Sequence, residues 1–324
     1  MYLEFYGLDA LPFELSPDPK YLLLTESHRE ALANLQYGIS ARKSLTLITG
    51  EAGTGKTTLI NAALSSASCR DARIVHLSNS MLSRDEFVEF LAARFMLSPE
   101  AERSKARLLA ELERELLQRR AQGVTTALVI DEAQCLEREL LEEIRLLSNI
   151  ETPSEKLLPL VLVGQPEFAE RLNLPSLRQL KQRVALRCEL GTLTAAETAA
   201  YVTGRIRIAG GDGSTVFTRD ALEEVHRFSH GIPRTISVIC DNALVNGFAA
   251  GVKPITAALV RQVCTDFDFN RTQPDPVDGR QLVADAPVQS PPQRDVEASA
   301  ERRSAEDAQP MFNNFSRKRR FSFF

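Results

Sequence analysis

Residues 50–57 limit the folds open to this chain more than any other stretch. They read Gly-Glu-Ala-Gly-Thr-Gly-Lys-Thr, follow the apolar run 44–49 and precede a helical pattern over 58–64. A strand, a loop of the form Gly-x-x-x-x-Gly-Lys-Thr and a helix, in this order, wrap backbone N–H groups around a phosphate at the start of the helix. The motif therefore predicts an α/β fold with a nucleotide phosphate site.

The residue types in this loop indicate how the phosphates and a metal ion are held. Lys56 is expected to reach the β- and γ-phosphates, and the Thr57 hydroxyl is expected to ligate Mg²⁺. We predict ATP and Mg²⁺ as the bound species. The predicted nucleotide-binding residues are Gly50, Glu51, Ala52, Gly53, Thr54, Gly55, Lys56, Thr57 and Thr58.

Two adjacent acidic residues end another apolar run. Residues 127–130 read Ala-Leu-Val-Ile and lead directly to Asp131 and Glu132. Carboxylates are costly to bury, so a buried strand ends in them mainly where the sheet edge faces a polar site. We predict that Asp131 holds Mg²⁺ and that Glu132 orients or deprotonates the attacking water; the alternative is an ordinary acidic loop start. Together with the phosphate loop, the pair predicts nucleotide hydrolysis.

Apolar runs alternate with helical patterns up to Leu190, after which only helical patterns follow. The predicted strands are 44–49, 73–77, 126–130, 158–163 and 184–190. Helical periodicity over 84–96 and 104–121 lies between strands, which is typical of βαβ units around a parallel sheet. The later helical segments are 195–209, 218–229, 233–249 and 256–267. We predict an α/β domain over 1–191 and a helical subdomain over 192–270.

The composition changes towards the C-terminal end. Six prolines punctuate residues 274–310, and aliphatic residues are scarce there. We predict a disordered tail over 271–324. Residues 317–324 combine four basic residues with three aromatic ones. Contact with anionic lipid, nucleic acid or a partner groove is one interpretation of this cluster, and random end composition is the other.

The bulk composition bears on partners and compartment. The chain has 39 Lys and Arg against 43 Asp and Glu, a balance that does not favour a dedicated nucleic-acid binder. Five cysteines without a Cys-x-x-Cys pair are typical of reduced thiols. No run approaches the roughly 18 apolar residues that a membrane span needs. We therefore expect a soluble, cytoplasmic protein.

Further short motifs extend over residues 1–268. They include Phe5-Tyr-Gly-Leu8, Ser27-His-Arg-Glu-Ala31, Asp131-Glu-Ala-Gln134, Val163-Gly-Gln-Pro-Glu167 and Gly231-Ile-Pro-Arg234. With these motifs the chain resembles the AAA+ ATPases of the general secretion pathway protein A (ExeA-like) family, and among them the stand-alone ATPases of exosortase (PEP-CTERM) loci. The resemblance implies a P-loop NTPase (AAA+) fold, a helical lid and ATP hydrolysis in an oligomer.

The resemblance also implies roles outside the two motifs. Gln165 follows a strand at the position of a polar γ-phosphate sensor, although glutamines at strand ends are ordinary surface residues. Arg183 precedes the last strand, where these ATPases often present an arginine finger to a neighbouring subunit, and Arg178 is the nearby alternative. Arg234 opens a lid helix and resembles the sensor 2 arginine; a solvent-exposed arginine is the competing interpretation.

An aromatic cluster near the N-terminus has two interpretations. Phe5, Tyr6, Pro12 and Phe13 resemble the segment that packs beside the adenine in this family. Clusters of this kind are more often simple core.

By resemblance, the ATPase energises assembly or secretion at the bacterial cell envelope, where it is cytoplasmic or peripheral at the inner membrane. We expect a homo-oligomer with protein partners from such a system. Family members usually continue into a transmembrane helix and a peptidoglycan-binding module, whereas this chain ends in a polar tail, so a stand-alone cytoplasmic member is expected. The alternative is a DNA-dependent ATPase that resembles the target-selection proteins of transposons; the mildly acidic body argues against it.

Overall fold

A computed structural model describes residues 2–78 and 80–267 of the chain. It has the predicted α/β architecture, with a parallel sheet followed by a helical region. The predicted tail, 271–324, and its basic aromatic cluster lie outside the described residues. Within the described ranges no helix is long and apolar enough to cross a membrane.

The strands of the described region form one parallel sheet. Their bounds are β1 Leu45–Gly50, β2 Ala72–Leu77, β3 Thr125–Ile130, β4 Leu160–Gly164 and β5 Val184–Leu190. The order across the sheet is β2-β3-β4-β1-β5. Because all strand pairs are parallel, the carboxyl ends of β1, β3 and β4 lie along one edge. The segments that contain the two predicted motifs therefore leave the sheet on the same side.

Helices cover both faces of this sheet and make up the region after it. Their bounds are α1 Leu3–Tyr6, α2 Glu26–Ser40, α3 Lys56–Leu64, α4 Arg84–Phe95, α5 Pro99–Arg103, α6 Lys105–Ala121, α7 Arg138–Leu147, α8 Pro166–Arg171, α9 Arg178–Lys181, α10 Ala195–Ile208, α11 Gly213–Val216, α12 Arg219–Ser229, α13 Pro233–Ala249 and α14 Ala257–Asp266. Short 3-10 helices lie at Pro19–Tyr21, Ala67–Cys69, Ala133–Cys135 and Pro175–Leu177.

Alternate residues of each central strand point to opposite faces of the sheet, and both faces are buried. Leu47 packs with side chains of α4, α6 and α7 on one face. Ile48 packs with side chains of α2 and α3 on the other. Burial on both faces explains why these strands are continuous apolar runs rather than alternating ones.

The helical region has its own core, and the N-terminal segment belongs to it. Tyr2, Tyr6 and Phe13 are buried among residues of α10, α12, α13 and α14. The Tyr2 hydroxyl donates to Asp241 Oδ1 at 2.6 Å. The predicted α/β domain 1–191 includes these residues; in the structure their aromatic side chains bury their surface against the helices that follow the sheet.

Candidate active site

The phosphate loop joins β1 to α3 at the carboxyl edge of the sheet. Gly53 has a φ of 84° and Gly55 a φ of 97°, values that glycine adopts with little strain. The helix begins at Lys56, directly after Gly55. The loop therefore has the predicted context of strand, glycine-rich turn and helix start.

The Lys56 side chain lies beneath this loop and is 6% exposed. Its Nζ donates to the backbone oxygens of Gly50 at 2.8 Å and Glu51 at 2.9 Å. Burial lowers the pKa of Lys56, and the nearby carboxylates of Glu132 and Asp131 partly oppose that shift. The backbone oxygens of the loop thus hold the Lys56 amino group at the site.

The two sequence motifs meet through a hydrogen bond. Thr57 Oγ1 donates to Asp131 Oδ2 at 2.8 Å. Asp131 is 4% exposed, and its Oδ1 accepts from the backbone N–H of Glu132 at 2.9 Å. A hydroxyl and a carboxylate oxygen side by side match the oxygen ligands that Mg²⁺ prefers. Thr57 and Asp131 therefore fit the metal role predicted for them.

Glu132 and Gln165 lie at the ends of neighbouring strands, β3 and β4, and a third residue connects them. Gln134 donates from Nε2 to Glu132 Oε2, and its Oε1 accepts from the backbone N–H of Gln165 at 3.1 Å. Gln134 is within the predicted motif 131–134, but the motif itself did not indicate which strand end its side chain contacts.

Arg234 belongs to the first turn of α13 and contacts the phosphate loop. Its backbone N–H donates to the Gly53 oxygen at 3.2 Å. A Cβ at Gly53 would lie 2.8 Å from Arg234 Cβ, so only glycine permits this approach. The structure thus brings the predicted sensor 2 residue to the phosphate loop.

A cleft of about 330 Å³ lies between the phosphate loop, the segment 14–23 and the lid helices. The predicted residues in its lining are Gly53, Thr54, Gly55, Lys56, Thr57, Thr58, Glu132 and Arg234. Phe5, Tyr6, Pro12 and Phe13 are not part of this lining; Tyr6 and Phe13 are buried in the helical core. The core interpretation of the aromatic cluster therefore holds for those two residues.

Arg205 and His28 also line the cleft and were not among the predicted site residues. Arg205 of α10 donates from Nη1 to the oxygens of Pro12 and Glu14, both at 3.1 Å, and its guanidinium lies 4.5 Å from the Tyr21 ring centroid. His28 of α2 contacts the Thr54 oxygen through Nε2 at 3.1 Å. His28 lies in a quoted motif, whereas nothing in the local sequence distinguished Arg205 from other helical arginines.

Arg183 is remote from its own phosphate loop. It precedes β5, whose first residue Val184 pairs with Leu45, while Gly50 pairs with Leu190 at the other end. The length of β1 therefore separates Arg183 from the loop, about 16 Å at the usual rise per residue. Arg178, at the start of α9, lies in the segment just before Arg183.

The parallel sheet, the phosphate loop and the acidic strand end define the class of protein. Residues 39–172 match the family model described as AAA domain. This stretch of the chain is therefore an AAA domain.

One bacterial protein matches most of this chain. The chain is 42% identical over 252 residues to general secretion pathway protein A of Aeromonas hydrophila, which confirms the predicted resemblance. The match covers 78% of this chain and 46% of that relative. The chain thus spans less than half the length of the relative.

Solved structures share the fold. The Drosophila ORC bound to DNA has a TM-score of 0.61 at 21% identity, over 79% of this chain and 64% of that one. Cdc6p of Pyrobaculum aerophilum has a TM-score of 0.61 at 19% identity, over 79% and 70%. The Aeropyrum pernix ORC2 protein, solved as ADPNP–ADP complexes, has a TM-score of 0.57 at 19% identity, over 80% and 72%. These similarities show the P-loop NTPase fold.

Proposed function

We propose that this protein is a Mg²⁺-dependent, oligomeric AAA+ ATPase that hydrolyses ATP to ADP and phosphate and energises assembly or secretion at the bacterial cell envelope. The observation that carries the proposal is the 2.8 Å hydrogen bond from Thr57 Oγ1 to Asp131 Oδ2. It joins a phosphate loop to a buried acidic strand end, as a site for a metal-bound nucleotide requires.

Each residue of this pair of motifs has a distinct task in the proposed reaction. Lys56 contacts the β- and γ-phosphates, and Thr57 with Asp131 holds Mg²⁺. Mg²⁺ supplies charge neutralisation on the phosphate oxygens when it is bound. Glu132 orients the attacking water and accepts its proton. Gln165, after β4, senses the γ-phosphate.

The lid and a second subunit complete the proposed site. Arg234 belongs to the lid and brings a positive charge to the phosphate loop. Because that charge would attract the phosphates of a bound nucleotide, nucleotide binding would set the position of the lid. Arg183, at the opposite end of β5, serves the ATP of a neighbouring protomer. The support for this assignment is its separation from its own loop by the length of β1.

The envelope role follows from the relative rather than from the site. The similar protein is named general secretion pathway protein A, and this chain matches 46% of its length. We propose protein partners in a secretion or envelope-assembly system on that basis.

Two substitutions test the proposed hydrolysis. Lys56→Ala should abolish ATP binding, because it removes the charge-assisted contact to the phosphates. Glu132→Gln should retain ATP binding while turnover falls by about 10²- to 10⁴-fold, as expected for a lost general base. Nucleotide titration and phosphate release, with and without Mg²⁺, measure the two properties separately.

Glu113→Gln is the matched control, because Glu113 is exposed on α6, away from the cleft. It should bind and hydrolyse ATP as the unmodified chain does. Full activity of Glu132→Gln would contradict the assigned mechanism. The same assay with added DNA and with membrane vesicles identifies which partner, if either, stimulates turnover.

A further inference from the structure

One side chain spans the gap between the ends of β3 and β4. The Gln134 amide donates from Nε2 to Glu132 Oε2 and accepts at Oε1 from the backbone N–H of Gln165, at 3.1 Å. The two strands are neighbours in the sheet, so the residues that follow them lie side by side. Gln134 therefore contacts both the proposed water-activating residue and the proposed γ-phosphate sensor position.

The chemistry of its partners fixes the orientation of this amide. A backbone N–H can only donate, so the amide oxygen of Gln134 must face Gln165. The amide nitrogen then faces Glu132 Oε2, and an amide nitrogen can only donate. The opposite orientation would set donor against donor and acceptor against acceptor. Gln134 is thus necessarily the donor to Glu132.

The surroundings hold the Gln134 backbone in place as well. The 3-10 helix Ala133–Cys135 follows Glu132, whose φ of 52° turns the chain sharply after β3. Arg171, the last residue of α8, donates from Nη1 to the Gln134 backbone oxygen at 3.2 Å. A Cβ at Gly164 would lie 3.1 Å from Gln134 Oε1, so the glycine leaves room for the amide. Backbone and side chain are both fixed against the end of β4.

We propose that Gln134 is a positioning residue that holds the Glu132 carboxylate and couples it to the backbone at Gln165. The inference rests on the proposed function, in which Glu132 activates water. Gln134 acts through Glu132. Its N–H holds the carboxylate in one orientation before the reaction, so the entropy cost of orienting it is not part of the activation free energy. A shift of the backbone at Gln165 reaches Glu132 through the same amide.

Two substitutions of similar length separate the hydrogen bonds from the space that Gln134 fills. Gln134→Met removes both bonds, and Gln134→Glu keeps an acceptor for Gln165 but sets a second carboxylate against Glu132. We expect each to lower turnover on the order of 10- to 100-fold, the effect of losing a hydrogen bond to a charged group. KM for ATP should be nearly unchanged, because the phosphate loop is intact.

Gln118→Met is the matched control, since Gln118 is exposed on α6. It should keep the turnover and the melting temperature of the unmodified chain. If both Gln134 variants lose ATP binding and thermal stability in parallel with activity, Gln134 has a structural role and the inference is wrong.

A double-substitution cycle tests whether Gln134 acts through Glu132. In the Glu132→Gln background, Gln134→Met should change the single-turnover rate by less than about twofold, because the carboxylate that it positions is already gone. The same proportional loss in both backgrounds would overturn the inference.

The same experiments separate this inference from the function on which it rests. If Glu132→Gln is inactive but Gln134→Met matches Gln118→Met, the positioning role is wrong and the proposed hydrolysis stands. If Glu132→Gln is as active as the unmodified chain, both are wrong.

Discussion

At the scale of single residues, the buried side chain of His28 contacts the phosphate loop. It is 2% exposed, its Nε2 lies 3.1 Å from the Thr54 oxygen and its Nδ1 lies 2.7 Å from Thr25 Oγ1. The carbonyl can only accept, so Nε2 carries the proton and the Thr25 hydroxyl donates to Nδ1. A neutral imidazole therefore satisfies both contacts.

Burial lowers the pKa of His28, partly offset by the Thr54 carbonyl and by Glu197. The unfolded chain then binds more protons than the native chain between the lowered pKa and about 6.5, the usual value for histidine. The contribution of His28 to stability is fully present above about pH 6.5 and is lost as the pH falls towards the lowered pKa.

His28→Gln should flatten this pH dependence, because glutamine donates to Thr54 without titrating. Melting temperatures at pH 8 and pH 5.5 measure the difference between the variant and the unmodified chain. His230→Asn is the control, because His230 is exposed and asparagine tolerates its φ of 51°. An equal drop in both variants and the unmodified chain would show that His28 does not contribute.

At the scale of elements, the contact between α13 and the phosphate loop couples the lid to the site. Gly53 lies where the loop and α13 approach, with Arg234 Cβ 2.8 Å and Ile232 Cγ2 3.1 Å from the position of an added Cβ. Gly123 has a similar φ, 80° against 84°, but an added Cβ there would meet nothing within 4 Å. The two glycines share a left-handed backbone, but only Gly53 lies in the phosphate loop and has a second element nearby.

Alanine at either glycine should cost about 1–2 kcal/mol of stability from the left-handed backbone. Gly53→Ala should in addition displace α13 and weaken ATP binding, whereas Gly123→Ala should bind ATP normally. Thermal melting and nucleotide titration measure the two effects. Equal ATP affinity in both variants would mean that the loop does not depend on its contact with α13.

At the scale of the whole molecule, the position of Arg183 divides one catalytic unit between two protomers in our proposal. An arginine finger supplied by a neighbour is worth about 10³- to 10⁵-fold in rate. Arg183→Ala should therefore bind ATP almost normally and hydrolyse it poorly, because its own phosphate loop and Glu132 are unchanged.

Mixing Arg183→Ala with Glu132→Gln should restore part of the activity. At some interfaces of the mixed oligomer, an intact active site from Arg183→Ala meets an intact arginine finger from Glu132→Gln. A mixture of Lys56→Ala with Glu132→Gln is the control and should stay inactive, because neither variant has an intact active site. If native mass measurement detects mixed oligomers and no activity returns, Arg183 does not act in trans and Arg178 becomes the candidate.

Local signals were sufficient for the strands and for the two motifs. Each strand is a run of buried residues, so its apolar character shows in the sequence, and each predicted end lies within two residues of the structure. No prediction delimited helix α2, which has Gly38 near its end. The structure explains that glycine: α2 packs so closely on β1 that a Cβ at Gly38 would lie 2.2 Å from Thr46 Oγ1.

The sequence by itself determined the α/β fold, the phosphate loop and the acidic strand end, because each depends on residues that are neighbours along the chain. Tertiary structure decided which of these groups meet. Thr57 reaches Asp131, Gln134 reaches the end of β4, and the first residues of the chain pack with the lid helices. The order of strands across the sheet and the burial of both its faces set these long-range contacts, and neither can be read from a local stretch of sequence.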